Sequence, residues 1–143
     1  MRVPKIIIGL FGIDQHEVGA LAVSSLLRDA GMEIVYAGRY NTPESLLRIA
    51  VEEDADIIGI SCHSWEYLDY APELIGLVRS HGLDVAVVLG GSVITATDAR
   101  LMEAAGAAAI FGPGDPPGAI SDSMRRITQA RRQSMRGSFQ GLD

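Results

Sequence analysis

The chain has 143 residues, 48% of them hydrophobic and 21% charged, which suits one domain with a real core and excludes a disordered or fibrous chain. Against 18 Asp and Glu stand 12 Lys and Arg, a net charge of -6 that gives no support to a nonspecific hold on nucleic acid or an anionic membrane. The single cysteine excludes an internal disulfide and fits a reducing cytoplasm, and the short apolar start, broken by Gly12 and Asp14, suits neither a secretory signal nor a spanning helix.

Five apolar, mostly β-branched runs predict strands over Lys5–Leu10, Glu33–Ala37, Asp56–Ile60, Asp84–Leu89 and Ala108–Phe111. After the first, the stretch from about Glu17 to Ala30 has helical spacing, with Leu21, Ser24, Ser25 and Arg28 on one side and Val18, Ala22, Leu26 and Asp29 on another. Thr42 predicts a helix cap and Pro43 a first helical residue, where no backbone donor is needed. Gly31, Asp54, Gly82 and Gly106 stand just before successive strands, so the repeated unit is helix, turn residue, buried strand. This alternation predicts an α/β fold, a doubly wound parallel sheet of five strands in the flavodoxin-like order 2-1-3-4-5. Residues 1–127 form that domain, and 128–143 a tail or helix extension in which Arg131, Arg132 and Arg136 continue the basic run of Arg125 and Arg126.

In this order the winding reverses between strands 1 and 3, and ligands bind where their carboxyl ends open. The loops Phe11–Gly19 and Ser61–Tyr70 are therefore the places to look. In the first, Asp14 and His16 are spaced so that a carboxylate can hold one imidazole nitrogen while the other faces a metal or substrate; the same spacing suits a plain helix cap and an exposed histidine. The second holds Ser61, Cys62, His63, Ser64 and Trp65, but no CxxC or HExxH pattern supports zinc, and Cys62 reads as buried packing. Gly90-Gly91-Ser92 and Phe111-Gly112-Pro113-Gly114 follow strands 4 and 5, and glycines there allow close approach of a ligand or merely a tight turn. Both GxGxxG and GxxxxGK[ST] are missing, as are the Asp after strand 3 and the Lys after strand 5 of a phosphoacceptor receiver domain.

Taken together, Asp14-x-His16-x-x-Gly19, Ser61, and Gly90-Gly91 resemble the signature of the Rossmann-like cobalamin-binding domain of the methylmalonyl-CoA mutase type. The likeness runs from about Lys5 to Ile127, including Asn41-Thr42-Pro43 and Pro72-Glu73-Leu74. It implies that His16 is the lower axial ligand to cobalt, displacing the cofactor's own base, with Asp14 on its far nitrogen. The cofactor-binding set it implies is Asp14, Gln15, His16, Glu17, Val18, Gly19, Ser61, His63, Gly90, Gly91, Phe111 and Gly112. Two positions depart from the family pattern: His63 stands where the family has Leu after Ser-x, and Leu10 stands where mutases often have Lys. The resemblance further implies adenosylcobalamin as cofactor and a large TIM-barrel mutase subunit as partner, making this chain the small subunit of a radical acyl-CoA isomerase. The other reading is a cobalamin carrier or sensor.

Overall fold

The computed structural model describes residues 3–14, 16–112 and 114–140, the side chains of 132–140 excepted. The expected sheet is present: β1 (Lys5–Phe11), β2 (Glu33–Asn41), β3 (Ile57–Ser61), β4 (Ala86–Gly90) and β5 (Ala109–Phe111) lie parallel in the order β2-β1-β3-β4-β5. Five helices connect or follow them: α1 (Glu17–Asp29), α2 (Pro43–Glu53), α3 (Tyr67–Ser80), α4 (Ala96–Ala105) and α5 (Pro117–Gln140).

Strand residues alternate between two cores because successive side chains point to opposite faces. Ile7, Ile58, Ile60, Val87 and Leu89 pack with α2, α3 and α4 on one face. Ile6, Ile8, Leu10, Ile57 and Val88 pack with α1 and α5 on the other. Leu10 is fully buried in this second layer. The helix spacing marks two sides of α1, of which only Ser24 is buried: Ala20, Ser24 and Leu27 face the sheet, whereas Val18 is 84% exposed.

β2 runs four residues beyond the predicted Ala37, with two shifts of register against β1 near Gly9. Gly38 and Tyr40 take up the extra length with positive φ (72° and 65°), and the Asn41 amide secures the irregular end by donating to the carbonyls of Leu10 and Gly38. Thr42 caps α2 as expected, with Ser45 returning the bond in a capping box.

α5 continues across Ile127 to Gln140. Within the 128–143 segment, Arg131 donates to the Asp56 carbonyl (2.7 Å) and carboxylate (3.1 Å) and to Asp84 (3.3 Å). Among the described residues no helix is long and apolar enough to cross a membrane.

The ends of β3 and β4 meet very closely. Cys62 N–H donates to the Gly90 carbonyl at 2.7 Å, and Gly91 adopts φ 150° with no room for a side chain, since a Cβ there would lie 1.8 Å from the Cys62 carbonyl oxygen. Gly91→Ala is expected to destabilise the fold by at least about 3 kcal/mol, from steric overlap combined with backbone strain. Gly112→Ala, where an added Cβ meets nothing, is expected to change it by less than about 0.5 kcal/mol. Urea denaturation of both variants checks the pair.

Candidate functional site

β1 and β3 send their helices to opposite faces, and the two loops leave a cleft between them. The first loop is clamped to the end of β2: Gly12 N–H donates to the Asn41 carbonyl (2.9 Å), and Tyr40 N–H donates to the Gly12 carbonyl (3.1 Å). Asp14 is then held inside, 3% exposed, and becomes the hub of both loops. Its Oδ1 accepts from His16 N–H (3.1 Å) and lies 2.9 Å from His16 Nδ1, while Oδ2 accepts from His63 N–H at 2.8 Å. Burial alone would raise the Asp14 carboxyl pKa. The His63 and His16 amides and the His16 imidazole more than offset it, so the group sits below the ordinary carboxylate value and is ionised at neutral pH.

His16 itself is the N-cap residue of α1 and its side chain makes no capping bond. The imidazole is 67% exposed, held by Asp14 at Nδ1, and its Nε2 bonds no described residue. This is a metal-ligand arrangement in miniature: a carboxylate fixes the tautomer and leaves the other nitrogen as a lone-pair donor. Among the described residues no group of three or more His, Cys, Asp or Glu side chains could by itself hold a metal ion. A metal here would have to arrive with most of its ligands already in place.

Beside this pair, between α1, α5 and the ends of β3, β4 and β5, lies a cavity of about 220 Å³. Ala20, Val23, Val88, Ile120 and Met124 make its walls apolar, and Gly19, Gly59, Gly90, Gly91 and Gly112 let backbone form much of the rest. Among the described residues, polar side chains enter it only as Ser61, His63 and Ser92. The His63 ring bridges the two serines, with Nε2 3.1 Å from Ser61 Oγ and Nδ1 3.3 Å from Ser92 Oγ, and its centroid stands 5.7 Å from that of His16.

Of the residues singled out from the sequence, Gly19, Ser61, His63, Gly90, Gly91, Phe111 and Gly112 line the cavity, and Asp14 and His16 form the pair next to it. Glu17 turns toward β2, accepting from the Tyr36 hydroxyl at 2.8 Å, and burial with that carboxylate pushes the Tyr36 phenol up to about 12. Val18 points to solvent, and Gln15 lies outside the described residues. Cys62 is 1% exposed and burial pushes its thiol pKa up, so it is an inert core group. Ser92 and the α5 residues Ile120 and Met124 were not among the candidates; the four-residue spacing of the last two, one helical turn, was the available signal.

A family model described as the B12 binding domain matches residues 4–120. The chain belongs to the B12-binding domain family. It is 33% identical over 127 residues to the 2-hydroxyisobutanoyl-CoA mutase small subunit of Aquincola tertiaricarbonis, covering 89% of this chain and 93% of that protein. Against the pivalyl-CoA mutase small subunit of Xanthobacter autotrophicus the identity is 31%, over 90% of this chain and 86% of the relative. The methylmalonyl-CoA mutase of Escherichia coli is 33% identical over 88% of this chain, which there spans only 17% of the relative's length. A cobalamin-binding protein from Desulfitobacterium hafniense has the same fold, with a TM-score of 0.69 at 19% identity over 92% of this chain and 59% of the other.

For this B12-binding domain the Asp14 hub yields a stability prediction. Asp14→Ala leaves three N–H groups on two loops without their acceptor and is expected to cost about 3 to 5 kcal/mol, whereas Asp14→Asn, which keeps one acceptor, costs about half of that. Urea unfolding measures both, and a loss under about 1 kcal/mol for the alanine variant would show that Asp14 does not join the loops.

Proposed function

We propose that this chain is the small, cobalamin-binding subunit of an adenosylcobalamin-dependent acyl-CoA mutase, acting with a large subunit that holds the acyl-CoA in a TIM barrel. The observation that carries the reading is the Asp14–His16 pair at the edge of the apolar cavity. One exposed imidazole suits cobalt in a corrin, a metal that would arrive with most of its ligands supplied by the macrocycle and would need one more from the protein. The bound cofactor supplies radical chemistry through homolysis of its cobalt–carbon bond.

The chain's own residues fit the rest of the group. His16 Nε2 would ligate the cobalt, and Asp14, on Nδ1, would fix the tautomer and strengthen the donor. The cavity would hold the cofactor's nucleotide tail, its apolar walls matching a flat base and its glycines allowing close approach to the backbone. Around His16, Ile13 (75% exposed) and Val18 present apolar surface to solvent, as does Trp65 (62% exposed) on the loop of His63. Such residues favour a broad hydrophobic group or a partner above them.

The partner rests on the relatives: two mutase small subunits match along nearly their whole length, while the same domain is a small part of a complete mutase. The identity of the acyl group is a property of the barrel.

The deciding experiment is cobalamin titration followed by visible absorption and by electron paramagnetic resonance of the cobalt(II) form. The wild-type complex is expected to be base-off with hyperfine splitting from one histidine nitrogen. His16→Ala is expected to lose that splitting and to bind at least about 10-fold more weakly. With the protein's histidines labelled with 15N, so that their splitting is told from that of the cofactor's own base, histidine splitting that survives in the variant overturns the assignment of His16, and absence of uptake by the wild type overturns the cobalamin reading.

A further inference from the structure

Three parts of the fold wall the cavity: the ends of β3, β4 and β5, the α1 residues Ala20 and Val23, and the α5 residues Ile120 and Met124. Two arginines of the basic run fasten the α5 wall to the other two. Arg125 donates to the carbonyl of Ala30, the C-cap of α1, at 2.7 Å. Arg131, with its side chain only 14% exposed, forks across the starts of β3 and β4: Nη1 donates to the Asp56 carbonyl (2.7 Å) and carboxylate (3.1 Å), and Nε donates to Asp84 (3.3 Å). The far ends of these same strands, Ser61 and Gly90, line the cavity. Between the wall and the fork lies Thr128, 1% exposed, whose Oγ has no hydrogen-bond partner among the described residues. Ile120, Met124, Thr128 and Arg131 follow one another at spacings of four, four and three, so they share one face of α5. The fork lies about 10 Å along the helix from Met124. An orphaned hydroxyl opposes the seating of α5 on the sheet, and a charge-assisted fork favours it.

We propose that Arg131 is a positioning residue that holds α5 on the sheet as the movable wall of the cavity, so that the seating of this helix sets the affinity for the group that fills it. The inference rests on the cobalamin reading and deepens it, the group being the cofactor's nucleotide tail. Met124, Thr128 and Arg131 all lie beyond residue 120, where the match to the B12 binding domain ends. A ligand that needs the wall binds more weakly in proportion to the fraction of molecules in which the helix is unseated. Thr128 raises that fraction, because water satisfies its hydroxyl once the helix lifts, and the fork lowers it. The acceptor of the fork is itself fixed, since Lys5 N–H donates to the Asp56 carboxylate at 2.9 Å. Asp14 and His16 are held by the two loops and not by α5, so a ligand bound through His16 alone does not sense the wall.

The test compares aquacobalamin with diaquacobinamide, which keeps the corrin and the cobalt but lacks the nucleotide. Visible absorption titrations follow both in wild type, Arg131→Gln, Arg131→Lys and the double variant Arg131→Gln with Thr128→Val, after thermal melts establish that each folds. Arg131→Gln is expected to weaken cobalamin about 5- to 10-fold and cobinamide by less than about 2-fold. Arg131→Lys keeps the charge without the fork and is expected to lose about 2- to 3-fold on cobalamin alone, which decides the matter if the glutamine variant does not fold. Thr128→Val replaces the orphaned hydroxyl by a methyl group of similar size. In the double variant it is expected to recover at least about 3-fold of the cobalamin affinity, although it restores no ion pair. Equal weakening of both corrinoids, an unchanged affinity for cobalamin, or no recovery in the double variant each overturn the proposal and leave the cobalamin reading standing. Uptake of neither corrinoid by the wild type overturns that reading, and this proposal with it.

Discussion

The site depends on one buried carboxylate. Asp14 takes hydrogen bonds from two backbone amides and one imidazole, and these come from two loops whose helices pack on opposite faces of the sheet. An isolated carboxylate at this depth would be driven to protonate. Three donors reverse that and keep it charged, so the same interaction that holds the cleft together also keeps an acceptor on His16 Nδ1. Loop geometry and imidazole tautomer are therefore not separable features.

Gly91 is the counterpart on the other side of the cleft. The backbone of the β4–α4 connection approaches the Cys62 carbonyl more closely than any side chain allows, and that contact sets where β3 ends and His63 begins. A hydrogen-bond hub and a steric constraint thus bracket His63 from both directions. The cavity lies between them because glycines occupy positions where Cβ atoms would otherwise fill the space.

Much of this was legible in the residues. β-branched runs separated by helical spacing carry the strand count and order, since a buried parallel strand must be apolar along its length. Asp14 and His16 are two apart, so their contact could be read locally. Asp14 and His63 are not: their bond spans 49 positions and exists only because β1 and β3 are neighbours. The late end of β2 was hidden because its extra residues are absorbed at Gly38 and Tyr40, a backbone irregularity with no hydrophobic signature. Spacing on α1 failed for a different reason. Val18 and Leu21 are apolar yet exposed, while Ser24 is buried beside Ala20 and Leu27 and bonded to the Ala20 carbonyl, so hydropathy alone does not mark the face toward the sheet.

His63 divides its work between backbone and side chain. Its amide serves Asp14 and through it the His16 loop; its ring serves Ser61 and Ser92 at the cavity. Every residue except proline provides the first of these, and only a hydrogen-bonding side chain provides the second. A change of side chain at position 63 therefore leaves the amide bond to Asp14 in place, while the polar groups on the cavity wall change. The link between the two loops and the polarity of the cavity wall thus meet at one position but rest on separate atoms, which lets the second change while the first is kept.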